Sequence, residues 1–404
     1  MEIRYILILG FSILCHAACQ QQAADLVKEN FDFADKQLTY AIHCTDSALA
    51  TKPAERGGRL RVIPRTIERN GSLRMVSSHD WCSGFFPGTL WQMYEQTGDE
   101  KWKTVADRYT WSIEDAKFHR GTHDLGFMLY NSFGKAWHLT KDERYKEVAL
   151  QAANTLIMRY NPTVGCIRSW DFNRQRWEFP VIIDNMMNLE LLFWASQETG
   201  DPIYRTIAIS HADKTLENHF RPDYSSYHVI DYDTLSGDVR LKETLQGFDH
   251  ESIWSRGQAW GLYGFTMAYR FTQDQKYLDL AKSIADMMLS LPQLADDMVP
   301  YWDMSDPAIP ETSRDASAAC IMASALYELS QALREQGEPY VQKADQLLQN
   351  LSQFYRAEPG TSKGFLLLHS TGNRPSNDEV DKPISYADYY YIEALIRKSK
   401  TEQL

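Results

Sequence analysis

The segment TGDEKW, residues 97–102, decides the fold, because its pattern recurs along the chain. An aspartate in the turn can cap a following helix, and an aromatic residue and an alanine spaced by four, here Trp102 and Ala106, lie on one face of that helix. Each copy therefore predicts two helices joined by a tight turn. The other copies are TKDERY from Thr140, TGDPIY from Thr199, TQDQKY from Thr272 and a degenerate QGEPY from Gln336.

The helices on the two sides of each turn differ in character. The helix before the turn is apolar and rich in small residues, as in RGQAWGLYGFTMAYR before Thr272, which suits an inner position. The helix after it is amphipathic, as in KYLDLAKSIADMML, which suits an outer position. The first outer helix is predicted over residues 23–50 and the last inner helix from about Ser385. We therefore predict an all-α (α/α)6 toroid of six helix pairs, with YHVIDYD as the one convincing strand.

The long connections of this toroid fall at one end. The same end carries the N-termini of the inner helices, where backbone N–H groups and helix dipoles favour negative charge. Loops on a rigid scaffold commonly carry function, so a site is expected there. The connections run from outer to inner helices and cover residues 115–123, 160–183, 220–255, 292–313 and 357–385.

Two aspartates at this end are candidate catalytic groups. Asp124 follows a histidine in GTHDLGF, and Asp184 follows three aliphatic residues in PVIIDNMMN. A carboxyl group in apolar surroundings should have a raised pKa, as a general acid at neutral pH requires. The alternative is that each aspartate is an ordinary N-cap. A pair of carboxyl groups also fits a glycoside hydrolase.

A second group of residues suits a carboxylated sugar. His228 and Gln246 precede the segment with Trp254, Arg256 and Trp260. A guanidinium between aromatic rings can pair with a carboxylate while tryptophan packs against the sugar ring. The alternative is a tryptophan pair in the core with Arg256 on the surface.

Composition and the N-terminus indicate an exported protein. The net charge of −12 over 404 residues argues against general affinity for nucleic acid or anionic membranes. Residues 1–19 read as a secretory signal peptide, and Ala17-Ala18-Cys19 is similar to a lipoprotein cleavage box, so Cys19 is a candidate lipid anchor. We therefore predict one catalytic domain over residues 20–404, in the periplasm or at the outer membrane of a bacterium. The later cysteines lack metal-binding spacing, and no metal site is predicted.

The segments THDLGF, DNMMNLELLFWA, YHVIDYD, WSRGQAWGLYG and YADYYYIEAL resemble glycoside hydrolase family 88, the unsaturated glucuronyl hydrolases. The resemblance covers roughly residues 30–400. It implies an (α/α)6 barrel that removes a 4,5-unsaturated uronic acid from oligosaccharides left by polysaccharide lyases. No metal or organic cofactor is implied.

The resemblance also implies roles for individual residues. Asp184 would be the general acid/base that protonates C4 of the C4=C5 bond and then activates water, and Asp124 the second essential carboxylate. Trp170 and Trp177 could stack on the sugar or merely pack their loop. The residues implied to bind the unsaturated sugar are Trp81, His123, His228, Gln246, Trp254, Arg256, Trp260 and Tyr386.

Several alternatives remain at this point. Some family members that act on glycosaminoglycans have a basic residue just before the matching glutamine and a Ser/Lys loop that holds a sulfate. This chain has Leu245 at the first position and only Ser370 and Arg374 in HSTGNRPS. A glycosaminoglycan disaccharide is nevertheless the favoured substrate. The sequence also allows three other functions: an unsaturated rhamnogalacturonyl hydrolase acting on pectin fragments, a non-catalytic oligosaccharide-binding lipoprotein, and an epimerase using His123 and His228.

Overall fold

The computed structural model describes the backbone of residues 2–51, 55, 56 and 58–401 and the side chains of residues 26–51 and 58–401. The predicted signal peptide, residues 1–19, and the predicted anchor Cys19 lie outside the described side chains. Among the residues that the structure describes, no helix combines the length and apolarity needed to cross a membrane.

Twelve α-helices within the described residues form an inner and an outer layer, which confirms the predicted all-α (α/α)6 toroid. The inner helices are α2 Phe85–Thr97, α4 Lys135–Thr140 preceded by the π-helical Gly126–Gly134, α6 Leu189–Thr199 preceded by the 3₁₀ segment Ile183–Asn188, α8 Ser255–Thr272, α10 Ala316–Leu333 and α12 Ser385–Thr401. The outer helices are α1 Glu2–Ala50, α3 Glu100–Trp111, α5 Glu143–Ile157, α7 Pro202–Asn218, α9 Gln275–Ser290 and α11 Glu338–Asn350.

The inner helices close into a ring. Each inner segment contacts the next one along the chain, and α12 returns to contact α2. One hydrophobic cluster runs through both layers and includes the fully buried Trp91, Leu192, Trp260 and Leu326. The ring leaves two ends, one with the tight turns and one with the long loops.

The repeated turn is built from two side chains. In the first copy, Thr97 donates from Oγ1 to the Met93 carbonyl at 2.6 Å, and Asp99 accepts from the Lys101 N–H at 2.9 Å. Gly98 between them has φ 66°, which glycine adopts without strain. The copies that begin at Thr140, Thr199 and Thr272 repeat both hydrogen bonds. The degenerate copy has no side-chain cap, and α11 starts instead with a proline in its first turn.

The aromatic residue of the repeat joins neighbouring outer helices. Tyr204 donates from its hydroxyl to Asn154 at 2.7 Å, and Tyr277 donates to Asp213 at 2.6 Å. Tyr340 makes the equivalent bond to Asp286, also at 2.6 Å. Each tyrosine on one outer helix therefore reaches the preceding outer helix, in addition to packing on its own alanine.

Short strands brace the loop end. YHVIDYD contains a strand, as predicted. This strand, β8 Val229–Tyr232, pairs with β7 Pro180–Ile182 on one side and with β9 Val239–Glu243 on the other in a three-stranded antiparallel sheet. The hairpin of β3 Ile63–Ile67 and β4 Leu73–Val76 was not predicted from the sequence. The strands are β1 Glu55–Arg56, β2 Arg59–Leu60, β3 Ile63–Ile67, β4 Leu73–Val76, β5 Tyr160–Asn161, β6 Cys166–Ile167, β7 Pro180–Ile182, β8 Val229–Tyr232 and β9 Val239–Glu243.

Candidate active site

Strand pairing places Asp184 next to His228. In the antiparallel β7–β8 pair, Ile182 lies opposite Val229, and the Ile183 N–H donates to the His228 carbonyl at 3.1 Å. Asp184 follows directly in the first turn of the 3₁₀ segment. Two residues distant in sequence thus meet at the loop end, where the inner helices begin.

Asp184 is a buried carboxyl group with a raised pKa. Its surface is only 8% exposed, and burial raises its pKa to about 6, with Asp124 raising it further and His123 and Arg256 opposing the shift. Its Oδ2 has no hydrogen-bond partner among the described residues, and no side chain caps this 3₁₀ segment. Asp184 is therefore not an N-cap, and its environment suits a proton donor.

Asp124 has the opposite pKa shift. Burial alone would raise its pKa, but His123 and Thr122 lower it further than burial raises it. His123 Nε2 lies 3.2 Å from Asp124 Oδ1, and the Thr122 hydroxyl donates to Oδ2. The pKa values of the two carboxyl groups are thus shifted in opposite directions, which is the pattern expected of an acid and an ionised partner.

The tautomer of His228 follows from its backbone contacts. Its Nδ1 accepts from the N–H groups of Leu245 at 3.0 Å and Gln246 at 3.2 Å, so the proton of the neutral ring belongs on Nε2. Burial, assisted by the charge of Arg256, lowers the His228 pKa to about 3. His228 therefore presents a neutral N–H donor on the side of Asp184.

Arg256 is buried and held from several directions. Its Nη1 donates to Asp315 Oδ2 at 2.8 Å and to the Thr371 carbonyl at 2.5 Å, while Nη2 donates to the Gly372 carbonyl at 2.5 Å. The residue is 1% exposed. Arg256 thus fastens the loop around Thr371 to the start of α8.

The rings around Arg256 differ from the prediction. The guanidinium lies 4.7 Å from the Trp254 ring centroid and 5.5 Å from that of Tyr386, so Tyr386 replaces Trp260 as the second ring. Trp260 lies one helical turn deeper, against Phe127 at 5.1 Å. Neither Trp260 nor Tyr386 has exposed surface, so both support the site from below and do not line it.

The remaining predicted residues contact His228 or the residues that hold Arg256. Trp81 is partly exposed and packs on Tyr386 at 4.9 Å. Gln246 donates from Nε2 to the Gly372 carbonyl at 3.4 Å. Trp254 packs on His228 at 4.6 Å. The fold thus brings together every predicted residue except that Trp260 and Tyr386 lie in the layer beneath.

The two loop tryptophans have different positions. Trp177 is fully buried and donates to Glu243 at 2.9 Å, so it packs its loop. Trp170 bridges to Thr122 through the backbone, and its ring lies edge-on to His228 at 6.5 Å. Trp170 is therefore the one of the two beside the site.

Sequence reasoning missed three residues near the site. Thr122 stands two positions before Asp124, a spacing typical of side-chain hydrogen bonds in turns. Asp315 caps the start of α10 and also pairs with Arg256, a contact between distant segments that the sequence did not indicate. Phe172, half exposed and stacked on Trp170, had no sequence signal.

Within the described side chains, no group of three or more His, Cys, Asp or Glu residues could hold a metal ion.

Comparisons with known proteins agree on one family. The sequence pattern described as Glycosyl Hydrolase Family 88 matches residues 61–374. An unsaturated glucuronyl hydrolase of Formosa agariphila is 52% identical over 325 residues, 80% of this chain and 81% of that protein. An unsaturated chondroitin disaccharide hydrolase of Streptococcus pyogenes is 34% identical over 346 residues, 83% and 85% of the two chains.

Solved structures match over nearly the whole chain. The crystal structure of an unsaturated glucuronyl hydrolase specific for heparin is 44% identical, covers 94% of this chain and 98% of its own, and superposes with a TM-score of 0.87. With the sequence match over residues 61–374, this likeness establishes that the chain belongs to glycoside hydrolase family 88.

Proposed function

We propose that this chain removes the 4,5-unsaturated glucuronic acid from the non-reducing end of lyase-generated glycosaminoglycan oligosaccharides. Relatives named as unsaturated glucuronyl hydrolase and unsaturated chondroitin disaccharide hydrolase support the substrate class. The observation that carries the proposal is a pair of carboxyl groups in opposite environments. Asp184 Oδ2 is buried without a hydrogen-bond partner and the pKa of Asp184 is raised to about 6, whereas His123 and Thr122 contact Asp124 and lower its pKa.

In the proposed mechanism, Asp184 acts first as an acid and then as a base. The C4=C5 bond of the sugar is an enol ether, so protonation of C4 by Asp184 leaves a positive centre at C5 stabilised by the ring oxygen. The Asp184 carboxylate then takes a proton from a water molecule that attacks C5. The resulting hemiketal opens, the glycosidic bond breaks, and Asp184 is again protonated.

The surrounding residues orient the sugar. Asp124, held ionised by His123 and Thr122, accepts hydrogen bonds from the sugar hydroxyls. His228 donates from Nε2, and Trp81 and Trp254 supply aromatic surface. Arg256 contributes positive charge near the sugar carboxylate while its hydrogen bonds hold the neighbouring loop.

The chain has only some of the residues that the family resemblance implies for binding a sulfate group. Leu245 stands where some family members that act on glycosaminoglycans have a basic residue, and Ser370 is fully buried. Arg374 in the same loop is exposed. Pectin fragments are therefore the second candidate substrate. An absorbance assay with unsaturated disaccharides from glycosaminoglycans and from pectin distinguishes the two candidates.

We further propose that the protein is exported and lipidated at Cys19, as a periplasmic or outer-membrane-associated lipoprotein. The supporting observation is the sequence of residues 1–19. Mass spectrometry of the mature N-terminus would test it. A lipid-modified Cys19 is the expected result, and an unprocessed Met1 would contradict export.

The enzymatic proposal is tested by the ultraviolet absorbance of the conjugated C4=C5 bond, which hydration removes. Unsaturated disaccharides from heparin, chondroitin, hyaluronan and pectin would be supplied to the wild type and to Asp184→Asn. We expect the wild type to consume at least one glycosaminoglycan disaccharide and the variant none. Consumption of the pectin disaccharide alone would assign the rhamnogalacturonyl activity, and binding without absorbance loss would assign a non-catalytic binder.

A further inference from the structure

A cluster of four arginines lies at the loop end, outside the residues assigned to the unsaturated sugar. We call Arg120, Arg159, Arg168 and Arg174 the arginine cluster. Three of them approach the Asp171 carboxylate, Arg159 Nη1 at 3.0 Å, Arg168 Nε at 3.4 Å and Arg174 Nη2 at 3.7 Å. Asp171 is one carboxylate among three guanidinium groups, which leaves two positive charges, in a chain whose net charge is −12. The fourth member, Arg120, contacts Arg159 through its backbone carbonyl.

The positive charge of the cluster is not neutralised by its surroundings. Burial lowers the Arg168 pKa, Arg174 and Arg159 lower it further, and the opposing effect of Asp171 is insufficient. Asp231 also acts on Arg168, but it is paired with Arg240 at 2.6 Å. The cluster therefore attracts anions.

Three members of the cluster have side-chain donors that make no hydrogen bond, and one of these donors is Arg168 Nε. Among the described residues, the exposed Arg120 side chain has no hydrogen-bond or ion-pair partner. The Arg159 side chain is 6% exposed, yet its Nη2 is buried without a partner. An unpaired guanidinium N–H away from water is costly, so a ligand or a small rearrangement that satisfies it would be favoured. Arg174 is 68% exposed and accessible.

The cluster lies beside the site and not on a remote surface. Arg159 donates from Nε to the Arg168 carbonyl at 2.8 Å and from Nη1 to the Arg120 carbonyl, so it joins the two loops that carry His123 and Trp170. Its charge also contributes to the lowered pKa of Asp124. The cluster thus borders the Asp124 side of the site.

An aromatic pair leads from the site to the cluster. Phe172 stacks on Trp170 with ring centroids 4.8 Å apart and planes 14° apart, and Phe172 is 50% exposed. Trp170 in turn lies edge-on to His228. Because Trp170 and Phe172 flank Asp171, the aromatic surface and the guanidinium groups of Arg168 and Arg174 occupy the same loop.

We propose that the arginine cluster binds sulfate esters on the saccharide that leaves when the unsaturated sugar is removed, while Phe172 packs against a ring of that saccharide. Guanidinium groups bind such oxyanions with two parallel hydrogen bonds, and aromatic faces pack on sugar rings. The inference rests on the proposed function, since it places the unsaturated sugar at Asp184 and His228. It assigns sulfate recognition to residues other than Ser370 and Arg374.

The test compares a sulfated unsaturated tetrasaccharide with the same tetrasaccharide after chemical desulfation. The variant is Arg120→Gln/Arg174→Gln, and the control is Arg144→Gln, an arginine 70% exposed at the start of α5, at the opposite end of the toroid. We expect the double variant to raise KM for the sulfated substrate roughly threefold to tenfold, the factor for two exposed charge contacts, with kcat unchanged. KM for the desulfated substrate should not change.

Two further measurements complete the test. The KM of the wild type for the sulfated substrate should rise with salt more steeply than that of the double variant, because salt screens the lost contacts. Phe172→Ala should raise KM for both substrates, since its contact is with a ring. Equal effects of Arg120→Gln/Arg174→Gln on both substrates, or an effect of Arg144→Gln of the same size, would overturn the inference.

The same assays distinguish an error in the proposed function from an error in the role of the arginine cluster. If the proposed function is wrong, the wild type would consume neither tetrasaccharide. Calorimetric binding of the sulfated tetrasaccharide to the wild type and the double variant would still test the cluster, with weaker binding by the variant supporting it and equal binding overturning it.

Discussion

Nε2 of His228 lies 3.8 Å from Oδ2 of Asp184, and burial shifts both groups toward their neutral forms. It raises the pKa of Asp184 to about 6 and lowers that of His228 to about 3. Charge is therefore disfavoured on this side of the site, while Asp124 on the other side is ionised. This asymmetry is what an enzyme needs to protonate a neutral double bond and then stabilise a cation.

The first prediction concerns the pH dependence of the reaction. A general acid must be protonated before substrate binds, so kcat/KM should fall as pH rises through about 6, the pKa of Asp184. Initial rates measured from about pH 5 to about pH 8 would reveal this limb. A kcat/KM that rises across the same range would contradict the role of Asp184 as the acid.

The second prediction is that Asp184→Asn removes activity and stabilises the fold at high pH. The folded-state pKa of Asp184 lies above its usual value, so its contribution to stability is present below the unfolded pKa and is lost as pH rises through about 6. A shift of this size corresponds to about 3 kcal/mol. The variant should therefore unfold at a higher temperature than the wild type at high pH, with kcat lowered about 10²-fold to 10⁴-fold.

Asp124→Asn is the matched control for that effect. The folded-state pKa of Asp124 is lowered, so its ionised form stabilises the fold above its unfolded pKa and loses that effect in acid. This variant should lower the unfolding temperature at neutral pH. If both variants shifted stability in the same direction, the opposite pKa shifts of the two groups would be wrong.

The third prediction concerns the ion pair between Asp315 and Arg256. Asp315→Ala leaves a buried guanidinium without its carboxylate and should cost about 3 to 5 kcal/mol of unfolding free energy. Ser317→Ala is the control, since it removes only the hydroxyl that donates to Asp315 at 2.5 Å and should cost about 1 kcal/mol. Urea unfolding of both variants would measure the difference, and equal costs would mean that the ion pair does not hold this region.

The fourth prediction concerns the repeated turns. Tyr277→Phe removes the hydroxyl that donates to Asp213 on the preceding outer helix and should cost about 1 kcal/mol. Activity should not change, because the turns and the site lie at opposite ends of the toroid. Tyr204→Phe, which loses the equivalent bond to Asn154, should behave alike. A fall in kcat for either variant would indicate coupling between the two ends.

The helix pairs and the end that carries the site could be predicted because both follow from local patterns. A turn motif and an aromatic-alanine spacing are visible in a few residues, and they fix the order and direction of the helices. The rings around Arg256 could not be predicted in this way. Tyr386 reaches Arg256 only because α12 closes the ring against its neighbours, and helix spacing alone favoured Trp260.

The pairing of β7 with β8, which places Asp184 beside His228, could not be predicted from the sequence either. The strand β7 has only three residues, and all three are buried, so it lacks the alternation that marks a half-exposed strand. Asp184 and Asp124 could be identified as candidate catalytic groups from their apolar or histidine neighbours in the sequence. The opposite directions of their pKa shifts could not, because the lowered pKa of Asp124 depends on its contacts with Thr122 and His123 in the structure.

The last prediction tests how tightly the two carboxyl groups are positioned. A Cβ added at Gly126 would lie 2.7 Å from the Cα of Asn188 and 2.8 Å from its Oδ1, and the first of these is backbone that cannot turn aside. Asn188 Oδ1 also accepts from the Phe127 N–H at 3.0 Å, so the segments that follow Asp124 and Asp184 are joined at this point. Gly126→Ala should push these segments apart, lower kcat and reduce stability by about 1 to 3 kcal/mol.

Gly261→Ala is the matched control, because its Cβ would meet only the side-chain ends of Phe220 and Ile284 at 3.3 Å and 3.6 Å. Because those side chains can shift and alanine favours a helix, we expect the control to keep its activity and stability. Full activity of Gly126→Ala would mean that the spacing of Asp124 and Asp184 tolerates movement of the helices that carry them.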